Sequence, residues 1–204
     1  AKNRFGATNE VGIFHMNENG LVEVENPSEL FLAERRNDIT GSTIFPSLEG
    51  TRPILVEVQA LVSNANFGTP QRNVNGFDFK RLAMLLAVLE KRIGTHMGTK
   101  DVFINLVGGL KIDDPAADLA VISAVASSSR DKLIKESVVL IGEVGLGGEV
   151  RSVSRLKERI NEAKSLGFKS VIAPAANLKR MKDRIKGVDI TGVTNVGEVF
   201  HHLF

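Results

Sequence analysis

Val102-Phe103-Ile104-Asn105-Leu106-Val107, then Gly108-Gly109, then Asp114-Pro115-Ala116-Ala117-Asp118-Leu119-Ala120 place a strand, a break and a helix start in one short stretch, and this succession sets the fold class. The first run is apolar and rich in β-branched and aromatic residues, and the glycines that bound it mark its end. Asp114 is placed to cap the free N–H groups of the helix that follows. Pro115 fits the first turn, where no N–H is needed, and Asp118 complements the helix dipole. Leu119, Ala120, Ile122, Ala124 and Val125 continue the helix.

Outward from this unit the same alternation recurs. Upstream, 54–62 reads as a strand, and 78–93 carries Leu82, Leu85, Leu86 and Leu89 at helical spacing. Downstream, 138–144 reads as a third strand, and Gly145-Leu146-Gly147-Gly148 turns into a strand segment near Val150. A helix is expected over 154–166, ended by Gly167. A strand over 170–174, a basic helix over 177–185, a strand over 188–190 and a helix over 196–203 complete the pattern. Residues before Pro46 are more polar. The short apolar runs 11–16 and 20–24 suggest a hairpin within a linker, 27–32 a short helix, and Thr40-Gly41-Ser42 a loop into a strand. The expected division is a linker over 1–46 and an α/β domain over 47–204, with no internal repeat.

The 204 residues are 43% apolar and 25% charged, ordinary values for a globular chain, with a net charge of +2. No cysteine is present, which excludes disulfides, zinc–thiolate sites and thiol catalysis and fits a reducing cytoplasm. No apolar run approaches the roughly 18 residues needed to cross a bilayer, so no membrane partner is expected. The chain begins at Ala1 without a methionine, which reads as a fragment of something longer. Basic residues crowd two stretches, Arg151, Arg155, Lys157, Arg159, Lys164 and Lys169 in one and Lys179, Arg180, Lys182, Arg184 and Lys186 in the other. Glu158, Glu162 and Asp183 dilute both, as on solvated helix faces.

Several chemistries are disfavoured by spacing. Gly94-Thr95-His96-Met97-Gly98-Thr99-Lys100 has the residue types of a phosphate loop without its spacing and reads as a helix-to-strand turn, so no ATP hydrolysis is expected of this chain. Gly142, Gly145, Gly147 and Gly148 make no dinucleotide fingerprint. His15, His96, His201 and His202 lack metal-ligand spacing, and helix capping accounts for Asp113-Asp114 more simply than a cation does; no metal or cofactor is expected in this chain.

Two segments carry a family resemblance. Lys2-Asn3-Arg4-Phe5-Gly6 matches the five-residue motif of bacterial RadA (Sms) type DNA-repair proteins. Val24-Glu25-Asn26-Pro27-Ser28, Leu30-Phe31-Leu32, Gly41-Ser42 and the run from Leu82 to Arg92 resemble that family in the same order. The later half is similar to the proteolytic domain of Lon, which implies an α/β, two-layer fold of the ribosomal protein S5 domain 2-like kind. Lon has a serine nucleophile in Lys-Asp-Gly-Pro-Ser-Ala-Gly and a lysine base in Gly-Gly-Leu-Lys-Glu-Lys. The segments here are Ile112-Asp113-Asp114-Pro115-Ala116-Ala117-Asp118 and Ser154-Arg155-Leu156-Lys157-Glu158-Arg159. Lys157 falls on the base and Ala116 on the nucleophile, and a methyl group cannot attack a carbonyl. Lys157 is then a relic, a salt-bridge partner or a cation facing DNA.

The resemblance implies a C-terminal module of an ATP-driven repair and recombination motor acting by branch migration. ATP, magnesium and zinc sites would lie in an absent N-terminal part. The implied partners are single-stranded and branched DNA, other copies in a homo-hexameric ring, and a RecA-type recombinase. Lys2 and Arg4 would act across a subunit boundary, as an arginine finger does. From charge alone, Arg72, Lys80, Arg81, Arg151, Arg155 and Lys157 are the DNA-facing candidates, contacting phosphates without reading bases. With no Trp or Tyr and eleven Phe mostly in apolar runs, backbone contact is favoured over base stacking. Two alternatives stand beside this reading: a pure oligomerisation scaffold, and a Lon-like peptidase using Ser123 or Ser127.

Overall fold

A computed structural model describes residues 14–204 except 19, 25, 37, 66, 67, 136 and 182–184. An antiparallel hairpin, β1 (Phe14–Asn17) and β2 (Gly20–Glu23), comes first. Helix α1 (Pro27–Leu32) follows, its N-terminus capped by Asn26, whose side chain accepts the Glu29 N–H.

The domain is built on a seven-stranded sheet. Strands β3 (Ser42–Glu49) and β4 (Arg52–Asn64) form its antiparallel centre. On one side of β4 lies antiparallel β6 (Lys100–Leu106), then parallel β5 (Arg72–Asn75) at the edge. On the far side of β3, β7 (Val138–Leu140), β10 (Ser170–Pro174) and β11 (Asp189–Val193) run parallel to one another and β7 parallel to β3, giving the order β11-β10-β7-β3-β4-β6-β5. A small hairpin, β8 (Glu143–Val144) with β9 (Val150–Arg151), stands apart from the main sheet.

Helices cover this sheet. Helix α2 (Phe79–Val88), capped by Asp78, runs on through a π turn over 89–93. Helix α3 (Asp118–Arg130) packs on β3, β4 and β7, α4 (Leu156–Ser165) on β3 and β4, α5 (Ala175–Arg180) on β10 and β11, and α6 (Val196–Leu203) on β11. Every residue of α3 from Asp118 to Ser127 is buried, the mark of a central helix with no solvent face. Ile44 and Phe45 of β3 and Leu55 and Val56 of β4 are fully buried with it. Each such side chain contributes about 1.5–3 kcal/mol by leaving water.

The α/β architecture matches the sequence expectation, and five details differ. The 138–144 run is not one strand: it breaks after Leu140 because Gly142 turns away to bond the start of α3 (Gly142 N to Ala116 O, 2.9 Å; Leu119 N to Gly142 O, 3.0 Å). A Cβ at Gly142 would lie 2.8 Å from Val150 Cγ1, so a larger residue would push that side chain aside. The expected boundary at residue 46 falls inside β3, and α1 also belongs to the domain, since the Ser28 hydroxyl accepts from Leu55 N (2.9 Å) and donates to Glu162 (2.7 Å). The helix expected from Ser154 begins at Leu156, after Arg155 in the left-handed region at φ 52°. The basic helix ends at Arg180, and β5, polar and at the sheet edge, carries no apolar alternation.

Candidate functional site

Ala116 sits in a 3₁₀ turn over 115–117 that leads into α3, and it is 2% exposed. Both of its main-chain polar groups are occupied. Its N–H donates to Asp114 Oδ1 (3.0 Å), and its carbonyl accepts from Gly142 N (2.9 Å). With a carboxylate accepting that N–H, it is not free to donate to a developing oxyanion.

The other oxygen of Asp114 meets Arg159. Nη2 of this guanidinium lies 2.5 Å from Asp114 Oδ2, Nη1 donates to Pro46 O (2.5 Å), Nε donates to Ser154 O (3.1 Å), and its carbon stands 5.5 Å from the centre of the Phe45 ring. Arg159 is wholly buried. One side chain therefore ties together β3, the turn holding Ala116 and the loop before α4, with each of its three nitrogens bonded. Sequence reading counted Arg159 as one more surface cation; only its spacing two residues after Lys157, on the opposite side of α4, hinted otherwise.

Lys157 itself is exposed in the first turn of α4. Ser127 Oγ accepts from Gly41 N (2.9 Å) and donates to Lys132 O (2.6 Å), so it fastens the α3 end to the entry of β3. A Cβ at Gly41, φ 82°, would stand 2.1 Å from Ala60 O, which makes this close approach a glycine position. Ser123 is fully buried, and its hydroxyl has no hydrogen-bond partner.

A second buried ion pair closes the other flank of α3. Arg81 grips Asp118 with two bonds, Nε to Oδ1 at 2.5 Å and Nη2 to Oδ2, while Val144 N donates to Oδ2 at 2.9 Å. Glu143 stands 3.6 Å from the same guanidinium. Burial pushes the Asp118 carboxyl up, against the pull of Arg81 and the Val144 N–H; its hydrogen bond in turn raises Arg81. Asp118 lies in the first turn of α3, where it complements the helix dipole as expected, and it is also the anchor between α2, α3 and the β8–β9 hairpin.

The candidate DNA-facing residues are not all alike. Arg72 is half-buried, and its guanidinium donates to the carbonyls of Gln71, Lys100 and Met97. Arg81 is held as described. Lys80 is exposed at the start of α2, and Arg151, Arg155 and Lys157 are exposed along one continuous segment. Arg151 pairs with Glu149 at 2.8 Å and lies opposite Glu143 in the hairpin register. Arg155 donates to Thr51 O at 2.9 Å. Lys2, Asn3, Arg4, Phe5 and Gly6 lie outside the described residues. No described helix is long and apolar enough to cross a membrane.

Residues 89–204, more than half of the chain, match the family model of the Lon protease (S16) C-terminal proteolytic domain. The chain belongs to that family. Within this Lon-type domain the turn of Ala116 and helix α4 of Lys157 both fall in the matched region. Relatives that match nearly the whole chain carry a different name. The chain is 53% identical over 197 residues to the DNA repair protein RadA of Bacillus subtilis (strain 168), covering 97% of this chain and 43% of the relative. It is 53% identical over 177 residues to RadA of Halalkalibacterium halodurans, covering 87% and 39%, and 48% identical over 203 residues to RadA of Streptococcus pyogenes serotype M1, covering 100% and 45%. The chain thus spans less than half the length of these relatives. Both resemblances read from the sequence, to RadA and to the Lon domain, are borne out.

Proposed function

We propose that this chain is a DNA-contacting and self-assembling module of a RadA-type repair motor, in which a Lon-type domain serves as scaffold rather than peptidase. The observation that carries the reading is Ala116. The turn where a Lon-type peptidase places its serine holds a buried methyl group, and the carboxylate beside it binds the local N–H and a structural arginine. The names of the relatives support the repair role. ATP, magnesium and zinc belong, in this reading, to parts of the parent protein outside the chain, and the ring of six copies and the RecA-type recombinase are partners of that parent.

DNA contact would fall on the exposed cations Lys80, Arg151, Arg155 and Lys157, with Arg72 and Arg81 shaping the surface from inside. Such contacts are to phosphates and are independent of sequence. The test compares the chain with Arg151→Glu/Arg155→Glu on fluorescent single- and double-stranded DNA. A loss of tenfold or more in the variant supports the reading. Undetectable binding by the unaltered chain at low salt, with assembly retained, replaces it with a pure scaffold.

A further inference from the structure

A cleft of about 480 Å³ on the Lon-type domain is lined by Arg92, Arg130, Lys132 and His201, with Phe200 and Phe204 as apolar wall. It lies outside the Ala116 turn, and none of its cations is among the six DNA-facing candidates. We propose that it is a binding pocket for a phosphoryl group.

Among the described residues that line it, none has a carboxylate side chain. The Arg130 guanidinium stands 5.0 Å from the centre of the Phe200 ring and 5.5 Å from that of Phe204, so two rings hold it in place. Ring faces leave its N–H groups free for an anion, as a carboxylate would not. Arg92 donates through Nε to Leu146 O (3.4 Å), which orients the side chain and leaves its terminal nitrogens available. The neighbouring main chain adds further order, because Ser127 bonds Lys132 O and fixes the exit from α3.

Cations at helix ends also have a purely structural use. Arg92 closes the π turn after α2, Arg130 closes α3 and His201 lies in the last turn of α6. A helix end carries roughly half a negative charge, so three ends take up about one and a half units. Arg92, Arg130 and Lys132 supply three full charges before His201 is counted, against which the main-chain carboxylate of Phe204 sets one. The excess stays positive, in a concave site with two guanidinium forks, and guanidinium forks match phosphate geometry.

Two sources present this chemistry: the backbone of a DNA strand and a free phosphorylated small molecule. Calorimetry with pyrophosphate and anisotropy with a fluorescent duplex, both near 0.15 M salt where screening confines charge effects to about 8 Å, separate them. The variants are Arg92→Glu/Lys132→Glu, which alters exposed side chains only, and Arg130→Leu, which keeps the ring packing and removes the charge. Lys179→Glu/Arg180→Glu makes an equal charge change elsewhere. A tenfold or greater loss of pyrophosphate affinity in the first two, with duplex binding kept, assigns a free phosphorylated ligand. Loss of duplex affinity, with or without that of pyrophosphate, assigns the DNA backbone. If neither ligand loses affinity in these variants, or the control loses as much, the pocket is a structural neutralisation of helix ends and the proposal fails.

Discussion

Asp114 Oδ2 and Arg159 Nη2 stand 2.5 Å apart and join the turn that opens α3 to the first turns of α4. These are the two segments that the resemblance to Lon sets beside its nucleophile and base. The guanidinium that links them is fully buried, and it clamps the turn to the helix.

Removing one partner of such a pair leaves the other charged and unpaired. Arg159→Met should cost about 3–5 kcal/mol in urea unfolding, and Asp114→Asn less, because an amide still accepts from Ala116 N. Coupling between the two positions should be evident in the double variant. A loss below about 1 kcal/mol for Arg159→Met would mean that the clamp is not what holds these loops.

Restoring the missing hydroxyl should not restore a peptidase. In Ala116→Ser the local N–H remains on Asp114, whose other oxygen is held by Arg159 of α4. The expected result is no cleavage of an unfolded protein substrate above the unaltered chain. Measurable hydrolysis, abolished by Lys157→Met, would show the dyad geometry to be intact.

The titration of Asp118 gives stability a definite slope. Burial raises its carboxyl, so the folded chain holds that proton more readily than the unfolded one. The contribution is therefore greatest in acid and shrinks as pH rises from the ordinary carboxylate value through the raised one. The stability difference between the unaltered chain and Asp118→Asn should fall over that window and then level off. An increase with pH would mean that the grip of Arg81 outweighs the cost of burial.

Ser123 is a buried hydroxyl without a partner inside a helix. Ser123→Ala removes an unsatisfied polar group and improves helix propensity, so it should stabilise by about 1 kcal/mol. The same burial predicts no labelling of Ser123 by a serine-directed covalent probe. Destabilisation would point to a water or partner holding that oxygen.

Much of the fold was legible because apolar period and caps agreed: Leu82, Leu85 and Leu86 mark the buried face of α2, and Asp114 caps the turn before α3 as its place before Pro115 implies. What was not legible depended on contacts distant in sequence. The break after Leu140 exists because Gly142 meets Ala116, and β5 is an edge strand whose residues answer to solvent rather than to a core. That Ala116 is buried in the turn before α3 follows from its place between Pro115 and an apolar helix. The burial of Arg159 and Asp118 could not be read in this way, since a charged residue on a helix looks the same whether its partner is water or a buried ion. The cleft at Arg92, Arg130, Lys132 and His201 is assembled from three separate helix ends, and no local motif announces it.

The most direct test of a Lon-type domain turned to DNA contact is the salt dependence of duplex binding by this chain. Log affinity should fall with log salt concentration with a slope of several units, at about 0.9 per neutralised phosphate, and differ little between sequences. A flat salt dependence, or no binding at the lowest salt, would contradict it.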